Sequence, residues 1–349
     1  MVFRQRMSPS MTLADRFHPM VKAARRTAAL FFGAYALWML QACGQTNEGS
    51  IELVGEAQGT SFSILYWPTT ETPEADSVAE KVQHLLQSYN EAVSLWDPTS
   101  DLSRLNKGEA LASQELSPLT IQTLAEGERL KKATQGWMDP SVGKFTRAWG
   151  FLQSAPQLGQ GFPQKDSLRI DSLWNSPVVV WDVNAFAQGL SVDLVAELLV
   201  RWGVKHALVE IGGEVRALGS KPDGSPFLLG IDAPTKEREA TPQKIIPLEN
   251  RAMATSGNYR KFTTDPRTGK RYGHTVNPFT GWTATTDLVS VTVLASTASE
   301  ADGVATACMA MGLQKTKEML KEHPEWDVYL LFGSEKEGWS EFTTLPTPR

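Results

Sequence analysis

Between Ala207 and Thr255 the chain offers one strand-like run after another with no helix between them: Ala207–Ile211, Val215–Gly219, Phe227–Ile231 and Ala252–Thr255. The first two flank Gly212-Gly213-Glu214, a tight glycine turn. So short a connection joins antiparallel neighbours, because parallel strands need a crossover of about a dozen residues or more. Helical spacing lies outside this stretch, in Pro73–Val93, Ser117–Gln135, Ala185–Trp202 and Ala298–Met311. Ile51–Tyr66 alternates apolar and polar residues and reads as two strand segments broken by Gly55 and Gly59. Val178–Trp181 reads as a buried strand ending at Asp182, Leu288–Ala295 as another, and Val328–Phe332 as the last. Strands and helices do not alternate strictly, so the expected class is α+β, with mixed or antiparallel sheets and packed helices. Ser154–Ser167 and Pro234–Gln243 read as surface loops, and no linker divides residues 51–345, which are taken as one domain.

The N-terminus has a different character. Arg25-Arg26 precede a thirteen-residue apolar run, Ala28–Leu40, followed by Gln41-Ala42-Cys43-Gly44. A spanning helix needs about 20 apolar residues, whereas this length suits the core of an export signal. Ala42-Cys43 resembles a bacterial lipobox, which makes residues 1–42 a signal peptide, Cys43 the lipidated first residue and 43–50 a polar tether. An uncleaved helical anchor is the alternative. Either way the body is expected outside the cytoplasm and tied to a membrane, facing the periplasm. Residues 1–42 hold six basic residues and one acid, which leaves 28 basic against 38 acidic residues beyond them. So acidic a body is poorly suited to phosphate backbones, and no nucleic-acid partner is expected. Two cysteines so far apart make no disulfide framework.

Four segments carry possible chemistry. Thr297 and Glu300 have capping-box spacing at the start of a helix in which Asp302 and Thr306 lie four apart and share a face. A carboxylate and a hydroxyl so placed are hard oxygen donors of the kind Mg²⁺ takes. On spacing alone, a dipole-stabilised Asp and a Thr bonded back to a carbonyl explain the pair as well. Gly303 implies tight packing at that point, and Cys308, set among Ala and Met, reads as a buried structural thiol. Asp182-Val183-Asn184-Ala185 ends a strand and opens a helix, a junction that offers amides to a phosphate or simply an N-cap. His274 lies beside a basic cluster of Arg260, Lys261, Lys270 and Arg271, suited to a diphosphate and to proton transfer, or else to a solvated hairpin tip. Trp96 or Trp137 could cover an aromatic ring, although such residues usually just pack. A P-loop, a dinucleotide-binding glycine fingerprint, a nucleophile elbow and zinc-ligand spacing are all missing from the sequence.

In order, GEAQGTSF, SDLSRLN, MDPSVG, DVNAFAQG, EIGGEVRALG, ATSGNYRK, HTVNPFTG and EADGVATACMAMG resemble the ApbE family of FAD:protein FMN transferases over about residues 55–335. The resemblance implies an exported, lipid-anchored enzyme that uses Mg²⁺ and takes FAD as substrate. It would move FMN to a Thr or Ser hydroxyl of an acceptor protein, by the same resemblance a subunit of a membrane redox complex, and release AMP. By this resemblance Asp302 and Thr306 hold the metal with the Ala185 carbonyl. FAD contacts fall at Gln58, Trp96, Trp137, Met138, Asp139, Asp182, Gln188 and Val276, and His274 is the catalytic residue beside the diphosphate. Two positions depart from the family pattern: Gln188 stands where Lys or Glu is common, and Asn277 where Asp is common. Two other readings use the same residues, a Mg²⁺-dependent FAD pyrophosphatase yielding FMN and AMP, and a non-enzymatic flavin-binding lipoprotein.

Overall fold

The computed structural model describes residues 49–152, 173, 176–232, 242–257, 262–264, 271–334 and 338–345. The signal segment, Cys43, the tether up to residue 48, the loop 154–167 and the basic residues Arg260, Lys261 and Lys270 lie outside them.

β1 (Ile51–Ala57) and β2 (Thr60–Tyr66) form a hairpin closed by Gln58-Gly59, both at positive φ (54° and 75°), as a two-residue turn of the right twist demands. Only Gly59 breaks this pair. Gly55 sits inside β1 for another reason: a Cβ there would come within 2.5 Å of the Phe62 ring. Helices α1 (Ala75–Val93), α2 (Asp101–Asn106), α3 (Pro118–Ala133), α4 (Gly143–Ala148) and α5 (Ala187–Arg201) follow. Then come β3 (Ala207–Ile211), β4 (Glu214–Leu218), β5 (Phe227–Ile231), β6 (Lys244–Leu248), β7 (Ala252–Gly257), β8 (Phe262–Thr264), β9 (Arg271–Gly273) and β10 (Leu288–Ala295). Helices α6 (Ala298–Met311) and α7 (Leu313–Met319) lead to β11 (Asp327–Ser334) and β12 (Gly338–Thr343).

Eight of the strands form one sheet in the order β1-β2-β3-β4-β7-β10-β11-β12, antiparallel at every step. β11 is therefore not the last strand: β12 pairs along it, and its largely exposed, weakly apolar residues gave no clear signal. Val178–Trp181 is not a buried strand either. It runs extended with a single bridge, Val180 to Val142, and leaves Val178 and Val179 about half exposed (54% and 50%). Its β-branched residues fix an extended backbone without dictating burial.

Period-two alternation assigns the two faces. Phe62, Ile64 and Tyr66 of β2 point to a helical layer with Val82 of α1 and Val192, Val195 and Leu199 of α5, while Leu65 faces the other side. That other side is covered by the β5–β6 hairpin through Phe227, Ile231, Ile246 and Leu248. Helix α6, apolar almost all round, is buried between the sheet and helices α3 and α5. Gly303 faces Leu130 of α3, whose Cδ1 would lie 2.9 Å from an added Cβ, so the close packing expected of that glycine is present. The body belongs to the α+β class.

Candidate active site

The site is built where the start of α5 meets α6. Gly189 has its Cβ direction pointed at the Ala298 carbonyl oxygen, 2.3 Å from where a Cβ would sit, so these helices meet backbone to backbone. This contact brings Asp302, buried in α6, within reach of α5: its Oδ2 accepts the Gly189 N–H at 3.2 Å. One turn along, the half-buried Thr306 donates its hydroxyl to the Ala185 carbonyl at 3.5 Å and lies 3.4 Å from the Ser256 hydroxyl of β7. Both contacts are long, so the Thr306 oxygen is only weakly committed within the protein. Asp302, Thr306 and Ala185 thus occupy one locus. Ser256 joins them; it lies in a quoted motif, but nothing in its spacing marked it.

Among the described residues no cluster of three or more His, Cys, Asp and Glu is placed to hold a metal. The locus offers instead one carboxylate, two hydroxyls and a carbonyl. Hard oxygens with a single formal charge match a dication that keeps part of its water and shares ligands with a substrate phosphate, as Mg²⁺ does. The donor set therefore fits Mg²⁺.

Thr297 caps α6 by accepting the Glu300 N–H at 3.3 Å. The reciprocal half of the expected capping box is absent, since the Glu300 carboxylate is engaged by Ser296 at 2.8 Å and Arg129 at 3.4 Å. Cys308 is fully buried, its thiol pushed up to about 12 by loss of solvent, which suits packing and not nucleophilic chemistry.

A second group borders the start of α5. The Asp182 Oδ1 accepts the Asn184 backbone N–H at 3.1 Å and its side-chain N–H at 2.8 Å. Asp182 therefore makes a local turn and is not the cap of α5, a position held by Phe186. Burial raises its pKa above the ordinary carboxylate value, and His274 is close enough to pull it partly back down. The main chain before Asp182 is clamped by Asn106 of α2, which donates to the Trp181 carbonyl at 2.8 Å and accepts its N–H at 2.7 Å. This explains why an Asn ends the SDLSRLN segment.

Gln188 donates to the Ile211 carbonyl at 3.0 Å and lies across the β3–β4 turn. Gly212 is obligatory beneath it: φ is +64° and a Cβ would fall 1.6 Å from the Gln188 Nε2. Gln58, on the β1–β2 turn, accepts from Ser191 of α5 at 3.4 Å, while its Nε2 is buried without a hydrogen-bond partner. An orphaned donor at this position is a ready contact for an acceptor atom of a ligand.

The remaining predicted positions are more dispersed. Met138 is buried, and its backbone N–H donates to the Thr134 hydroxyl at 3.1 Å. Asp139 holds its own turn through Ser141 and pairs with Lys131 at 2.9 Å. Trp137 packs edge-on against Phe279 with centroids 4.8 Å apart, and the Lys315 ammonium lies 4.4 Å from its ring centre. Val276 is buried beside Phe145 and Trp149, and the Trp149 indole N–H donates to the Gly281 carbonyl at 3.0 Å, anchoring the 274–282 loop. His274 is exposed at the edge of that loop. Trp96 is 53% exposed, and its one described hydrogen bond is local, from its backbone to Ser94.

The chain belongs to the ApbE family, whose sequence model matches residues 58–330. It is 31% identical over 321 residues to the FAD:protein FMN transferase of Haemophilus influenzae, a match covering 86% of this chain and 92% of the relative. The FAD:protein FMN transferase of Vibrio cholerae is 31% identical over 293 residues, 80% of this chain and 86% of that one. Among solved structures, the flavin transferase ApbE from Vibrio cholerae superposes with a TM-score of 0.70 at 28% identity, over 84% of this chain and 96% of that one. The apo form of the Pseudomonas stutzeri flavinyl transferase ApbE gives 0.71 at 27% identity, over 84% and 94%.

Proposed function

We propose that this chain is an FAD:protein FMN transferase that works with Mg²⁺. The acceptor hydroxyl oxygen bonds to the flavin-side phosphorus of FAD, the bond from that phosphorus to the bridging oxygen breaks, and AMP leaves with that oxygen. The single observation that supports this reading most strongly is the convergence of Asp302, Thr306 and the Ala185 carbonyl on one locus at the start of α5. A dication bound there would neutralise charge on the diphosphate and on the departing phosphate.

The protein's own groups supply the rest. The turn 182–188 presents Asp182 to a ring N–H or hydroxyl of the substrate. Gln58, with its unpartnered amide nitrogen, donates to a substrate acceptor. Trp96 and Trp137 offer aromatic faces to the ring systems of FAD, and Met138, Asp139, Gln188 and Val276 complete the contact set. His274, near enough to Asp182 to feel its charge, takes the proton from the acceptor hydroxyl. Because Gln188 bonds to the Ile211 carbonyl, it serves here as a neutral brace of the β3–β4 turn, which accounts for a residue without the charge common at this position.

Incubation with FAD, Mg²⁺ and an acceptor domain, followed by intact-mass analysis, tests the reading. A covalent FMN adduct on the acceptor is expected. Free FMN and AMP without adduct would reassign the chain as a pyrophosphatase, and FAD recovered unchanged would leave only binding.

On sequence pattern alone, we also propose that Cys43 carries a lipid anchor and that the enzyme faces the periplasm, where it modifies subunits of membrane redox complexes. Among the described residues no helix is long and apolar enough to cross a membrane. Radiolabelled fatty acid is expected to enter the wild-type chain and not Cys43→Ser.

A further inference from the structure

Helices α5 and α6 are joined by a ladder with a constant register. Ala185 meets Thr306, Gly189 meets Asp302, and four residues further along Asp193 meets Ala298 and Ser299. The spacing is four along both segments, Ala185 lying in the turn that leads into α5, so each rung lies about one turn from the next. The third rung contains neither a proposed metal ligand nor a proposed substrate contact, and its chemistry is distinctive. Asp193 is 2% exposed; its Oδ1 accepts the Ala298 N–H at 2.8 Å and its Oδ2 the Ser299 N–H at 2.9 Å. The Arg216 guanidinium on β4 donates to the same Oδ1 at 2.8 Å.

First-turn amides have no acceptor within their own helix, and the N-cap Thr297 already serves Glu300. Helix α6 therefore takes the rest of its cap from α5. Three donors on two oxygens require an acceptor-only group with two oxygens, which a carboxylate supplies and an amide does not. Its charge also lies at the positive end of α6, with Arg216 as counter-ion in the sheet. Burial raises the Asp193 pKa while Arg216 and the two amides oppose that shift, so several groups act together to keep the carboxylate in place.

We propose that Asp193, held by Arg216, is a positioning residue for the transfer reaction. It locks α6 on α5 in the one register that sets Asp302 against the Gly189 N–H and Thr306 against the Ala185 carbonyl. A slip of one residue would turn both side chains about 100° away from these partners. The proposal rests on the Mg²⁺-dependent reading given above.

The test uses the full-length chain in detergent, with Mn²⁺ as the probe. Asp193→Asn keeps the shape and one acceptor oxygen while turning the other into a donor. Its Mn²⁺ affinity, read by electron paramagnetic resonance, is expected to fall by about tenfold or more, as when partners that orient metal ligands are removed elsewhere. The Mg²⁺ concentration for half-maximal transfer should rise by the same factor, kcat should recover at saturating Mg²⁺, and metal-free FAD binding should be unchanged. Glu126→Gln is the control. Glu126 bonds the Ser299 hydroxyl at 2.8 Å and Arg129, and its described bonds include no α6 backbone amide, so metal binding should stay as in wild type.

Unchanged Mn²⁺ affinity in Asp193→Asn, or an equal loss in Glu126→Gln, would overturn the proposal. Should Asp193→Asn fail to fold, Arg216→Gln replaces it with a smaller loss in the same direction expected, and unchanged binding there is equally fatal. A wild-type chain indifferent to Mg²⁺ would instead sink the underlying reading.

Discussion

The α5–α6 junction and the loop 274–282 supply the two halves of the candidate site in opposite ways. At the junction, main-chain atoms do much of the positioning: the Ala185 carbonyl, the Gly189 N–H and the Ala298 carbonyl all lie at the helix contact, and Asp302 is buried. The loop presents side chains from an irregular backbone, with His274 exposed and Phe279 54% exposed, and is anchored where its Gly281 carbonyl accepts the Trp149 indole N–H. Backbone geometry set by close helix packing has little freedom to relax, whereas exposed side chains on a loop can be exchanged at modest cost. On the proposed reading, the groups that must hold a dication in fixed geometry belong at the junction, while the loop brings His274 to the acceptor hydroxyl from a more adaptable backbone.

That contrast can be broken by experiment. Asp302→Ala should leave the fold intact by circular dichroism and reduce transfer by about a thousandfold or more, because several kcal/mol of charge stabilisation go with it. Normal turnover in this variant would remove the junction from the chemistry. His274→Ala should lower kcat by about a hundredfold with little change in FAD affinity, the signature of proton transfer. An effect confined to affinity would make the histidine a binding group only.

Gly189→Ala forces a methyl group against the Ala298 carbonyl and should cost roughly 1–3 kcal/mol in urea unfolding, with activity falling alongside. No loss would show that the helices have slack. The smallest effect concerns pH. Burial raises the Asp182 pKa, so the folded chain holds a proton that the unfolded chain has already released. Stability should therefore fall as pH rises from the ordinary carboxylate value, about 3.9, through the raised one. Asp182→Asn should flatten that segment of a Tm-against-pH curve.

Much of this was readable from residues. The glycine turn at 212–213 required antiparallel neighbours, and the spacing of Asp302 and Thr306 required a shared face. What escaped was whatever depends on the partner across a gap. Asp193 looks like any polar residue in an amphipathic helix until the first turn of α6 is placed against it. Gly55 resembled a strand breaker, although its role is to admit the Phe62 ring. Val178–Trp181 had the composition of a core strand, yet composition does not say what lies above and below an extended backbone. β12 leaves no pattern in the sequence because an edge strand buries too little apolar surface to impose one.

The most direct test is a crystal structure grown with FAD and Mn²⁺, with the ion located by its anomalous signal. The account predicts one strong peak coordinated by Asp302, Thr306 and the Ala185 carbonyl and touching the diphosphate. A peak elsewhere on the dinucleotide, with the α5–α6 junction bare, would contradict it.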